Sequence, residues 1–247
     1  MKEKKEHWNA VIYMEWKFDE ESLEFSGRKI KPSVRKLLEM MPVLANPKKD
    51  TPLASDSPTY YMYRDVAHFG KIRYDVTRIL SLDLAGEMNK TLGHVHPRSA
   101  KGTPWSEVYE VLSGEAHFLL QKMNQLGVSD AVLLSAKKGE CLLIPPGYGH
   151  VTINPGKHDL VLGNLVSSDF EADYSEFLRL RGACYYEMHD GKLVKNRNYG
   201  GDFELRQMRA VDFSSAFGTY APFKKGLLAA VKKPEDIEFL KKPEMFY

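Results

Sequence analysis

Three histidines and one glutamate are the residues in this chain whose types and spacing can do chemistry. His94 and His96 flank Val95, Glu107 follows in Glu107-Val108-Tyr109, and His150 sits inside the run Gly139 to Asn154. In an extended strand alternate side chains share a face, so His94 and His96 are expected on one side, about 7 Å apart along the backbone. Glu107 from a neighbouring strand and His150 from a more distant one can converge on that face. Three imidazoles and a carboxylate suit Fe²⁺, Mn²⁺, Ni²⁺ or Zn²⁺. Four protein ligands on an octahedral ion leave two positions for water or substrate oxygens, so the site has catalytic character. His-x-His alone is also what a polar strand face looks like. His7, His68, His117, His158 and His189 read as ordinary histidines and are not assigned to the metal.

Elements that could carry such a set are short strands. Tyr60–Tyr63, Arg73–Leu80, Val108–Leu112, His117–Leu120, Ala131–Leu134, Cys141–Ile144 and Leu160–Leu162 are rich in aromatic, β-branched and other apolar residues. Turn signals punctuate them at Ser113-Gly114, Lys138-Gly139, Pro145-Pro146-Gly147 and Asn154-Pro155-Gly156. Many short strands with regular glycine and proline punctuation predict an antiparallel sandwich or barrel, and the strand–helix alternation of a doubly wound sheet is missing. Helices are expected at Pro32–Met41, where Val34, Leu37, Leu38 and Met41 recur on one face, and at Pro234–Lys241, opened by proline and acids and closed by lysine.

The spacing of the candidate ligands matches two signatures in order: His-x-His with a downstream glutamate separated by six residues from Gly114, then G-x5-P-x-G-x2-H-x3-N from Gly139 to Asn154. These resemble the cupin signatures, which imply a mainly β double-stranded β-helix, a jelly-roll barrel with short helices in its extensions. The wider context is similar to cupin-type glucose-6-phosphate isomerase. Tyr74-Asp75-Val76-Thr77, Thr91-Leu92-Gly93-His94-Val95-His96-Pro97, Glu107-Val108-Tyr109, Asp169 to Tyr174, Arg181 to Tyr186 and Lys195 to Tyr199 carry the likeness across about residues 58–200. The loop Pro97–Ser106 is longer than in the commonest cupin pattern. At the positions where compact members carry an aromatic and a histidine near the substrate, this chain has Val166 and Ala172.

The resemblance implies that His94, His96, Glu107 and His150 ligate one divalent metal per subunit, with Fe²⁺ as the first expectation. It implies that Thr77, Thr91, Gly93 and Tyr109 hold the sugar phosphate; hydroxyls and a glycine amide can grip a dianion as donors. Arg98 and Lys101, in the long loop, are expected to add charge. The implied activity interconverts glucose 6-phosphate and fructose 6-phosphate. A cis-enediol route is preferred to a direct hydride shift, with Glu107 as the first choice of base and Tyr109 or a metal-bound hydroxide as the alternative proton carriers. The alternatives are another sugar-phosphate isomerase or epimerase on the same fold, an iron cupin dioxygenase, and a non-catalytic sugar- or metal-binding cupin.

The 247 residues carry 35 Lys and Arg against 33 Asp and Glu, a formal charge of +2 that excludes a bulk-charge nucleic-acid binder. A hydrophobic fraction of 43% supports a sizeable core and excludes disorder as the main state. Cys141 and Cys184, with no Cys-x-x-Cys, read as reduced core thiols. No apolar run approaches the ~20 residues that span a bilayer. Met1–Trp8 is charged and lacks a following apolar stretch, so no secretory signal is read there. The expected organisation is an N-terminal extension over 1–57, a barrel over 58–200 and a C-terminal extension over 201–247, in a cytoplasmic homodimer whose partner molecule is a sugar phosphate, with no nucleic acid and no membrane.

Overall fold

A computed structural model of the chain describes residues 17–18, 22–25, 27–47 and 51–246. The Met1–Trp8 stretch lies outside the described residues. Ten strands build two facing sheets: β1 (Ser33–Lys36), β2 (Pro58–Phe69), β3 (Ile72–Ile79), β4 (Glu107–Ser113), β5 (Glu115–Asn124), β6 (Gly127–Lys137), β7 (Cys141–Ile144), β8 (Tyr148–Ile153), β9 (Leu160–Ser167) and β10 (Leu205–Arg209). The six-stranded sheet runs β7-β4-β9-β3-β2-β1, and the four-stranded sheet runs β8-β5-β6-β10. All pairings are antiparallel except β6 with β10. Short strands, two facing sheets and order-skipping neighbours make the jelly-roll of the cupin fold. β1 lies within residues 1–57 and β10 within 201–247, so both flanking stretches share sheets with the 58–200 unit.

Alternation sorts each strand between an inner and an outer layer. Val111, Phe118, Leu120, Val132, Leu134, Leu142, Ile144 and Leu162 fill the space between the sheets. Their neighbours Val108, Leu143, Val161 and Leu165 point outward and are covered by Tyr220, Phe223, Leu227, Ile237, Phe239 and Leu240. Leu119, Leu133, Val151 and Ile153 leave the other sheet and pack on Phe177, Leu180, Tyr199 and Phe203. Two buried faces explain why Cys141–Ile144 and Leu160–Ser167 are buried at every residue. Each such leucine or phenylalanine contributes roughly 1.5–3 kcal/mol by leaving water.

The helix expected over Pro32–Met41 is corrected. Ser33–Lys36 pairs with β2, and only Leu37–Met40 is helical. The open edge of β2 supplies backbone partners that outweigh a weak amphipathic pattern. At the C-terminal end Pro234–Leu240 forms a 3₁₀ helix, and its Ile237, Phe239 and Leu240 are buried. Cys141 and Cys184 are free and buried, and burial pushes the Cys184 thiol up to about 12. No helix among the described residues is long and apolar enough to cross a membrane.

Candidate metal centre

The inner face of the six-stranded sheet carries one wall of a cavity of about 390 Å³. Cross-strand register sets its rows: Glu107 on β4, Val166 on β9 and Arg73 on β3 stand abreast, and so do Tyr109, Asn164 and Asp75. Thr77 follows one step along β3, opposite Met62 of β2. The opposing side comes from Thr91, Leu92, Gly93, His94 and His96, with His150 of β8 buried beside them.

His94 and His96 do not lie in a regular strand. Gly93 adopts φ +89°, and a Cβ there would fall 2.4 Å from Phe177 and 2.5 Å from Val151. A side chain at Gly149 would likewise come within 2.8 Å of Val95. The two glycines let the His94 segment close on β8, where His94 and His150 exchange both backbone hydrogen bonds, at 3.2 and 3.0 Å. Val95 exchanges a second pair with Asp173, at 2.9 Å each. The segment thus bridges two neighbours, and its imidazoles converge more closely than strand spacing predicts.

One ligating atom from each of His94, His96, Glu107 and His150 lies within 4.8 Å of all the others. The Nε2 atoms of His94 and His96 are 3.2 Å apart. Glu107 Oε2 stands 3.3 Å from His96 Nε2 and 3.5 Å from His150 Nε2. His96 Nδ1 lies 3.1 Å from the Trp105 carbonyl, an acceptor only, so Nδ1 donates and Nε2 keeps a lone pair for the cluster. Asn164 Nδ2 donates to Glu107 Oε1 at 2.6 Å, which leaves Oε2 as the inward atom. That Oε2 is buried and makes no hydrogen bond of its own. Inward lone pairs on buried nitrogens beside an orphaned carboxylate oxygen are the arrangement a divalent cation satisfies, so these residues fit a metal.

Charge follows burial. Burial disfavours the ionised Glu107 carboxylate, but the adjacent His150 and His96 imidazoles outweigh it and hold the group well below the usual carboxylate range. Burial and then the neighbouring imidazoles push His94 far below its ordinary value of 6.5; burial lowers His150 too. Burial, reinforced by Glu107, pushes the Tyr109 phenol well above 10, so it keeps its proton. The Tyr109 hydroxyl lies 3.4 Å from His150 Nε2.

Thr77, Thr91, Gly93, Tyr109, Val166 and Ala172 all line the cavity, where the resemblance placed them. Thr91 Oγ1 accepts the Thr152 N–H at 3.0 Å and still has a proton to give. Arg98 and Lys101 are corrected: neither lines this cavity. Arg98 donates to the Gly102 carbonyl at 2.7 Å, and Lys101 pairs with Glu244 at 2.6 Å, because the long loop folds on the C-terminal segment. The cavity's arginines are Arg64 and Arg73. Arg73, Asp75 and Thr77 alternate along β3, so period-two reading could have placed Arg73 and Asp75 beside Thr77. Arg64 likewise continues the alternation of Tyr60 and Met62 along β2, so the same reading could have placed it. Phe170, which packs on His96 at 4.8 Å between ring centroids and stacks on Trp105, was also missed. His117 faces outward and pairs with Glu187 at 2.8 Å.

Residues 34–204 match the family model described as Glucose-6-phosphate isomerase (GPI), well over half of the chain. No curated protein sequence matches. Among solved structures, the chain is similar to peruvianin-I, a cysteine peptidase from Thevetia peruviana latex, at 17% identity and TM-score 0.37 over 51% of this chain and 72% of that one. It is similar to the capsular polysaccharide assembling protein CapF of Staphylococcus aureus at 16% and 0.35, over 46% and 29%. Bacillus subtilis oxalate decarboxylase gives 20% and 0.35, over 50% and 29%. The chain therefore spans less than a third of the last two, and the fold rests on its own strand pairing.

Proposed function

The chain belongs to the glucose-6-phosphate isomerase family, and from that premise we propose that it interconverts glucose 6-phosphate and fructose 6-phosphate, with His94, His96, Glu107 and His150 holding one divalent transition metal per subunit. The observation that carries the reading is the convergence of four ligating atoms within 4.8 Å at the wall of a cavity of about 390 Å³. When bound, a divalent ion supplies positive charge where negative charge develops on the sugar oxygens during isomerisation.

The chain's own residues do the rest. Thr77 and Thr91 offer hydroxyl donors and Gly93 a close backbone approach to the sugar phosphate. Glu107, ionised throughout the working pH range, is always in the proton-accepting form, although its lowered pKa makes it a weak base. Tyr109, held protonated, is the complementary donor. This pairing supports proton transfer through a cis-enediol, in which solvent deuterium enters C2 of glucose 6-phosphate; a product free of solvent deuterium assigns the hydride shift instead. Fe²⁺ as the resident ion, ahead of Mn²⁺, Ni²⁺ or Zn²⁺, belongs to the same proposal, as do a homodimer and a cytoplasmic location. Nitrogen-rich ligands with one carboxylate support a first-row ion, and two-fold symmetry is the commonest closed assembly.

A coupled assay converting fructose 6-phosphate to glucose 6-phosphate tests the reading. Activity is expected in the metal-replete protein, lost on chelation and restored by a divalent ion. No turnover by the replete protein, or full turnover after chelation, overturns it.

A further inference from the structure

Neutral donors alone do not explain how a phosphate dianion would be chosen over an uncharged sugar, and the loop cations expected to add charge are spent elsewhere. Two arginines line the cavity instead, and β2 and β3 are built to present them. Between Tyr63 and Ala67 the pairing of β2 with β3 slips, and Asp65 adopts φ +59°. Tyr63 and Val66 both enter the outer core across this bulge, while Arg64 lines the cavity. The bulge also aims the Asp65 N–H at Asp75 Oδ1, 2.8 Å away, and Asp75 Oδ2 accepts from Arg73 Nε at 2.8 Å. Both Asp75 oxygens are therefore engaged, and the buried carboxylate orients the guanidinium.

Arg73 spends only Nε in this way; among the described residues its two terminal nitrogens have no hydrogen-bond acceptor. Arg64 reaches only neutral atoms, Ser33 Oγ and Met62 Sδ, each at 3.3 Å. Guanidinium N–H groups that face a cavity and are not taken up by a carboxylate are poised for an external anion, because the planar fork matches phosphate geometry in a way a lysine does not. Glu171 is the remaining acidic group of the lining outside Glu107 and Asp75, and it is exposed.

We propose that Arg64 and Arg73 are the specificity-determining residues that select the phosphorylated sugar, clamping its dianion while Thr77 and Thr91 donate to it from the same cavity. The clamp rests on the isomerase reading for its substrate, but not for its anion chemistry. Metal-free protein is the material for the test. Binding of inorganic phosphate, of fructose 6-phosphate and of fructose is measured by calorimetry on the wild type and on Arg64→Leu, Arg73→Leu and Arg73→Lys. Each leucine variant is expected to weaken phosphate and fructose 6-phosphate by about tenfold or more and to leave fructose unchanged. Arg73→Lys recovers part of the loss. Arg64→Leu guards the test against misfolding, because Arg64 is exposed and touches no carboxylate. Phosphate binding that both leucine variants retain, or a wild type that binds no phosphate, overturns the clamp. Phosphate binding lost in the variants, in a protein that turns over no sugar phosphate, keeps the clamp and removes the isomerase.

Discussion

Two buried charged clusters lie a few residues apart in the chain, and they are built on opposite principles. In the first, Lys90 Nζ meets Glu87 Oε1 and donates to the Val43 carbonyl at 2.9 Å, above the Tyr186 ring. Glu87 Oε2 accepts the Ala45 N–H at 2.8 Å. The charges cancel and every oxygen has a donor. In the second, Glu107 brings a charge among three imidazoles, and its Oε2 has no hydrogen bond. A cluster that satisfies itself ties the 43–45 loop to the barrel. A cluster that turns its lone pairs inward offers them to a cation. Burial and titratable residues are common to both, so those features alone do not mark a site; the direction of unused lone pairs does.

That contrast can be broken in order of expected effect. His96→Ala should reduce isomerase activity to background and release the metal while far-UV circular dichroism is retained. A metal analysis showing full occupancy would separate His96 from the cluster. Lys90→Met should do the reverse. It strands Glu87 in the interior at a cost of about 3–5 kcal/mol in urea unfolding, yet the surviving folded protein keeps its metal. Asn164→Ala frees Glu107 Oε1 and should weaken metal binding by about 10–100-fold in a competitive chelator titration. An unchanged affinity would reduce Asn164 to a sheet residue.

The smallest effect is on pH dependence. In the metal-free protein His94 and His150 titrate below 6.5, whereas the unfolded chain binds those protons near 6.5. The unfolded state then holds more protons on acidification, so stability present above pH 6.5 is lost as the pH falls. The slope approaches about 1.4 kcal/mol per pH unit for each imidazole. Urea unfolding at pH 7 and pH 5.5 reads this directly, and His94→Ala should remove one imidazole's share. An identical slope in that variant would show that His94 is not held neutral by its surroundings.

Much of this was legible in the sequence because local chemistry dictates it. Glycine and proline punctuation marked the β-turns, and seven apolar runs predicted strands now seen in the two sheets. The spacing of His94, His96, Glu107 and His150 named the cluster before any coordinate did, since those residue types have few reasons to recur at cupin spacing. The helix at Pro32–Met41 was misread because strand pairing is decided by a partner, β2, that propensity does not see. Arg98 and Lys101 were misread because a loop's charge says nothing of where the loop folds, and Glu244 that captures Lys101 lies 143 residues away.

The chain by itself therefore determined a mainly β barrel and the residue types of a four-residue His/Glu cluster, because alternation, turn chemistry and donor type are properties of short stretches. Only the tertiary structure decided which cations face the cavity, which Glu107 oxygen turns inward and which buried ion pair is closed on itself. Those outcomes depend on cross-strand register and on where distant segments fold, neither of which is a property of a short stretch.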